Sequence, residues 1–161
     1  MIEIDKRLYV GNEYDCAVGS VSDRAVVHAC KHPCHVGALG YRGSLPQSHP
    51  NYLVAEREKN LYLNMVDMDR ELSPIYTNPI MEAAMKFISE SILNRDVLIH
   101  CNQGQSRAPS IGLLYLAREN KIAADTYEGA TAGFREIYPA YQPARGIALY
   151  MARNWEQLIQ L

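Results

Sequence analysis

The sequence predicts an α/β fold, a central mixed β-sheet flanked by helices, with a glycine-containing polar loop set between a buried strand and a central helix. Three observations carry that prediction. Short apolar and β-branched runs come first in the chain and helix-period stripes follow them. The run VLIHC passes directly into a glycine-containing polar loop, and the segment beyond that loop is apolar nearly all round. One chain of 161 residues is also large enough to build a core of this kind in a single domain spanning 1–161.

Residues 8–10 (LYV) before Gly11-Asn12 read as a short strand and turn, and 24–29 (RAVVHA) as the next strand. Residues 29–52 read as a long loop rich in Gly, Pro and Ser, and a loop of that length is more often functional than idle. Its Tyr41, Arg42, His32 and His35 are candidates for the rim of a pocket. Cys30, His32, Cys34, His35 and His49 crowd the same stretch, with His28 just before it. Both residue types ligate zinc, but Cys34 and His35 are adjacent and no second paired half follows at the usual separation. The spacing therefore argues for no metal site and no cofactor.

Residues 60–66 (NLYLNMV) alternate Leu61, Leu63 and Met65 with Tyr62, Asn64 and Val66, the period of a strand, and end in Asp67-Met68-Asp69-Arg70-Glu71. Ser73-Pro74 through Asn78-Pro79 opens a helix with suitable caps and a proline in its first turn. Ile80, Ala83, Ala84, Phe87, Ile88 and Ile92 form its core stripe. Asn94-Arg95-Asp96 then turns the chain into Val97, Leu98 and Ile99. A buried central helix runs from Ser106 to about Asn120. An amphipathic helix carries Tyr127, Ala130, Phe134, Ile137 and Tyr138 and is closed by Pro139; a last one begins near Gly146 and carries Ile147, Tyr150, Met151, Trp155 and Leu158. All these stripes are assigned to packing.

The loop between His100 and Arg107 carries the chemistry. Its successive backbone N–H groups can converge into an anion nest, and the following helix adds positive potential at its N-terminus. Such a field favours a thiolate at Cys101 and a bound phosphate dianion alike. Arg107 can hold the dianion through its planar fork, and Gly104 lets the backbone approach the ligand without a Cβ. Asn102, Gln103, Gly104, Gln105, Ser106 and Arg107 are thus the expected phosphate-binding residues. The reaction implied is in-line attack of sulfur on a phosphoryl group to give a phosphocysteine. A leaving oxygen must also be protonated, which a carboxylic acid from the 67–71 segment can do.

HCNQGQSR resembles the HC-x5-R signature of the protein tyrosine phosphatase superfamily, and the following AP in a short chain is most similar to the dual-specificity branch. The resemblance runs from about Leu8 to Leu161, loosely over 31–60. LYVGN resembles the family's first strand, and YLNMVDMD its acid-bearing strand and loop, where the acid follows the tyrosine by seven residues; counting from Tyr62 gives Asp69, with Asp67 as competitor. Cys101, Arg107 and Asp69 are then the implied catalytic residues. Most relatives have Ser or Thr after the arginine to hydrogen-bond the departing thiolate, whereas this chain has Ala108, as in the phosphatases of regenerating liver. The loop positions Asn102, Gln103 and Gln105 are neutral, unlike the lysine-bearing loops of many phosphoinositide phosphatases. The resemblance implies hydrolysis of phosphotyrosine in a protein, extending to phosphoserine and phosphothreonine. The alternatives are a slow or inactive phosphotyrosine-binding module and a phosphatase for a non-protein phosphate monoester.

Composition narrows the partners. Sixteen basic against eighteen acidic residues give a charge of -2, which advertises no field for nucleic acid or membrane and argues against RNA 5′ ends as substrate. The opening MIEIDKRLYV has no signal-peptide core, no apolar run reaches the ~20 residues of a membrane span, and four cysteines do not make a disulfide framework. A thiolate catalyst needs reducing surroundings, so the expectation is a cytoplasmic monomer acting on phosphorylated protein.

Overall fold

The structure, a computed structural model, describes residues 1–16 and 22–161. Six strands form one mixed sheet in the order β1-β2-β6-β3-β5-β4: β1 (Ile2–Asp5), β2 (Leu8–Gly11), β3 (Ala25–His28), β4 (Val54–Arg57), β5 (Asn60–Leu63) and β6 (Val97–His100). Strands β2, β6, β3 and β5 are mutually parallel, and the antiparallel β1 and β4 close the two edges. The central AVVH of β3 and VLIH of β6 are buried at every position, as parallel strands covered on both faces must be. Strand β5 keeps the alternation read in its sequence, with Leu61 and Leu63 inward.

Helices flank the sheet: α1 (Val36–Leu39), α2 (Pro74–Ser91), α3 (Arg107–Arg118), α4 (Tyr127–Ile137), α5 (Arg145–Arg153) and α6 (Trp155–Leu158). Helix α3 buries every residue from Arg107 to Ala117 and packs on β6 and β2, with α2 and α4 against it. This is the central helix expected from a segment apolar nearly all round. Leu8, Val10, Val27, Leu61, Val97 and Ile99 from the sheet join Met81, Ile88, Ile111, Leu114 and Phe134 from the helices in one core.

Three details differ from the sequence reading. The edge strands β1 and β4 went unread because each buries a single residue, Ile4 and Ala55, and so carries no sustained apolar run. The stretch read as loop contains a helical turn at Lys31–His35 that runs into α1. The terminal helix is two, broken at Asn154, whose side-chain amide donates to the Tyr150 carbonyl at 2.8 Å. His35 staples the long segment from within: its buried ring bridges the Tyr41 hydroxyl at 2.8 Å and the Asn51 carbonyl at 3.0 Å.

Candidate active site

Cys101 follows β6 at the C-terminal edge of the parallel strands and is 1% exposed. The chain then loops through residues 102–106 and enters α3 at Arg107. Partners outside the loop set its peptide orientations. The Glu13 N–H donates to the Asn102 carbonyl at 3.2 Å, the Tyr138 hydroxyl to the Gly104 carbonyl at 2.6 Å, and the Gln142 N–H to the Gln105 carbonyl at 2.8 Å. A trans peptide points its N–H opposite its carbonyl. With these carbonyls engaged, the N–H groups of Gln103, Gln105 and Ser106 point away from Glu13, Tyr138 and Gln142 respectively. Gly104 takes φ +70°, and a Cβ there would meet the Gly11 carbonyl oxygen at 2.9 Å, so both conformation and space require glycine. Burial, with Cys101 and Asp15 nearby, pushes the Tyr138 phenol up to about 12, which keeps it a donor to the loop.

Arg107 closes one side of the loop. Its Nε donates to Asp67 Oδ2 at 3.1 Å, Nη1 to the Met65 carbonyl at 3.2 Å, and Nη2 to Asn102 Oδ1 at 2.8 Å. Ser106 Oγ donates to Asp67 Oδ1 at 2.8 Å and accepts from the Ala144 N–H at 2.9 Å. Ser110 Oγ donates to the Ser106 carbonyl at 2.7 Å and lies 3.0 Å from the Tyr141 hydroxyl, itself 2.8 Å from that of Tyr127. Both serines near Cys101 in sequence thus have other partners, and Ala108 brings no hydroxyl.

A cavity of about 290 Å³ opens over this loop, lined by Cys101, Gln103, Gln105, Ser106, Arg107 and Asp67, with Gln142, Pro143 and Ala144 forming the far wall. Those last three lie between α4 and α5 and gave no sequence signal, because only the folded path of that connection brings them to the loop. Asn102 and Gly104 shape the loop from behind. Asp69 is exposed and does not line the cavity; its carbonyl accepts from Arg145 Nη1 at 3.2 Å. Of the rim candidates, none of the side chains of Tyr41, Arg42, His32 and His35 lines it either, although the His32 carbonyl accepts from Asn102 Nδ2 at 3.0 Å. The acid-bearing segment is seated on α5: the Gly146 N–H donates to the Met68 carbonyl at 2.8 Å and the Leu72 N–H to the Gly146 carbonyl at 3.2 Å. A Cβ on Gly146 would press into the Arg70 and Met68 carbonyl oxygens.

The sheet order and this strand–loop–helix define the fold of the dual-specificity phosphatases. No protein-family model matches the sequence, and no curated protein matches it. The solved structures it is similar to include the human tyrosine phosphatase-like serine/threonine/tyrosine-interacting protein, with TM-score 0.64 at 18% identity over 99% of this chain and 97% of that one. Human DUSP28 gives 0.60 at 15% identity, covering 99% and 98%. PTPMT1 in complex with PI(5)P gives 0.59 at 12% identity, covering 98% and 96%. Among the described residues no helix is long and apolar enough to cross a membrane.

Proposed function

We propose that the chain is a cysteine-dependent phosphatase that hydrolyses phosphotyrosine in proteins, and phosphoserine or phosphothreonine with it, through a phosphocysteine on Cys101. The observation that carries this reading is one cavity lined by the buried Cys101 thiol and the Arg107 guanidinium, over a loop whose carbonyls are held by partners beyond it. Donors fixed before the substrate arrives stabilise the equatorial oxygens as the phosphoryl group moves to sulfur, with no reorganisation at that moment. Gln103, Gln105 and Ser106 contribute backbone N–H groups, Asn102 and Gly104 hold the loop's shape, and Arg107 supplies the fork. Neutral loop side chains favour a monoester carrying a single phosphate.

Asp69 is the proposed general acid, on its spacing from Tyr62 in the family resemblance. Asp67 has a different part in this scheme. A carboxylate held by the phosphate-binding arginine competes with the substrate for it and must swing aside as the dianion enters.

The test is a panel of p-nitrophenyl phosphate, phosphotyrosine and phosphoserine peptides, inositol phosphates and RNA 5′ ends. Phosphotyrosine peptides should give the highest kcat/KM. Comparable rates on inositol phosphates would move the substrate to a non-protein monoester, and binding of phosphopeptides with no turnover would make the chain a recognition module.

A further inference from the structure

A second cluster lies behind the nucleophile, at the same edge of the sheet. Cys16, His28, Cys34 and His100 each direct one donor atom toward a common point, and these four atoms lie within 4.8 Å of one another. They come from four places: the turn after β2, the end of β3, the helical turn Lys31–His35 and the end of β6. Strands β3 and β6 are parallel neighbours in which His28 is paired with His100, so both rings leave the sheet at one level. His28 Nδ1 is 2.7 Å from His100 Nε2, Cys16 Sγ 3.6 Å from His28 Nδ1, and Cys34 Sγ 3.8 Å from His100 Nε2. The two rings are 3% and 0% exposed.

The outer ring nitrogens decide what the inner ones present. His28 Nε2 faces Asn60 Oδ1 at 3.0 Å and His100 Nδ1 faces the Cys101 carbonyl at 3.4 Å; both partners are acceptors. A neutral ring that donates outward leaves a lone pair on its other nitrogen. With both rings donating outward, two lone pairs converge at 2.7 Å, a contact relieved either by a proton on one inner nitrogen or by a metal ion between them. A proton would need the two rings alone, whereas two sulfurs also converge there and complete four corners. Zn–N bonds of about 2.0–2.1 Å and Zn–S bonds of about 2.3 Å set tetrahedral ligand–ligand edges of roughly 3.3–3.8 Å. Two sulfur–nitrogen spacings, 3.6 and 3.8 Å, already have that length; to close the tetrahedron the two rings separate by about 0.6 Å and the wider pairs, within 4.8 Å, draw in. An acceptor behind each imidazole is also the usual outer partner of a metal-bound histidine.

We propose that Cys16, His28, Cys34 and His100 form a structural zinc site. Binding forms two Zn–S and two Zn–N bonds and releases one proton from each thiol, leaving a neutral complex suited to partial burial. With all four positions filled by protein no site is open for substrate, so the metal braces rather than reacts. It ties the strand end that carries His100, and with it the start of the catalytic loop, to residues 16 and 34. Cys30, buried in the core nearby, is not one of the four.

The experiment is metal analysis of the reduced full chain produced with zinc, together with the absorption spectrum after replacement by cobalt(II). Expected are about one zinc per chain, a tetrahedral cobalt spectrum with thiolate charge-transfer bands, and a fall in melting temperature on chelation. Cys16→Ser and Cys34→Ser should each weaken zinc binding by more than about tenfold. Cys30→Ser and Cys101→Ser should keep both the zinc and the cobalt spectrum. Zinc lost from Cys101→Ser but kept in Cys34→Ser would put the metal on the catalytic thiol and overturn the proposal. A reduced wild-type chain with no zinc and no tetrahedral cobalt spectrum would overturn it too, and that readout needs no variant to fold.

Discussion

At the scale of single residues, Arg107 divides its guanidinium among Asp67, Met65 and Asn102, and only the first of these carries a competing charge. Two neighbouring carboxylates therefore have opposite expected phenotypes. Asp67→Asn removes the competitor and should tighten vanadate binding by roughly tenfold, read from inhibition constants. Asp69→Asn should slow esters with poor leaving groups by about 100-fold or more while barely affecting activated aryl phosphates, read from a series of leaving-group pKa values. If Asp67→Asn gives the second pattern, the acid lies two residues earlier. The second step depends on Ala108. Ser106 and Ser110 have other partners, so no hydroxyl near Cys101 in sequence is left to receive the departing thiolate. Ala108→Ser should raise the steady-state rate by roughly 10- to 100-fold with little change in burst amplitude, since a charge-assisted hydrogen bond is worth about 1.5–3 kcal/mol. The loop from Cys101 to Arg107 was legible as a unit because its residues are contiguous, whereas the far wall of its cavity, Gln142, Pro143 and Ala144, lies distant in the chain and was not. The Cys/His cluster was not legible either. Its members come from four segments, and the Cys/His-rich stretch weighed for metal, with His28 just before it, holds only His28 and Cys34 of them.

At the scale of elements, two contacts hold mobile-looking sequence in place. His35 donates from Nε2 to Asn51 and accepts at Nδ1 from Tyr41, as a neutral ring does, and burial holds it below its ordinary 6.5. The folded state therefore takes up this proton less readily than the unfolded one, and stability is lost as pH falls from about 6.5 toward the lowered value. Urea unfolding at pH 7.5 and 5.5 should show a smaller loss in His35→Gln than in the wild type; equal losses would show that the ring does not titrate against folding. Gly146 is the seat of the acid-bearing segment. Gly146→Ala sets a methyl against two backbone carbonyls, which should cost about 1–3 kcal/mol and cut kcat on poor leaving groups by roughly 10- to 100-fold while phosphate still binds. Neither contact could be read beforehand. A Gly-Pro-Ser-rich composition says loop, and only the fold reveals that a buried histidine pins it or that a helix glycine carries another segment.

For the whole molecule, the parallel strands matter because their C-terminal ends meet at one edge, where open α/β sheets place their sites. The candidate phosphate-binding loop and the Cys/His cluster both lie there, joined by the adjacent residues His100 and Cys101. The α/β class and the central helix were legible from the largely apolar runs of β3, β6 and α3, whose burial on all sides leaves its mark on composition. Strand order was not legible, since it depends on contacts between segments far apart in the chain. The most direct measurement of the central claim is rapid acid quenching of the wild-type chain with an aryl phosphate labelled in its phosphoryl group, followed by peptide mapping. The account predicts a burst of phenolate approaching one per chain and label on Cys101, with neither in Cys101→Ser; turnover that persists in Cys101→Ser, or proceeds with no label on Cys101, would contradict it.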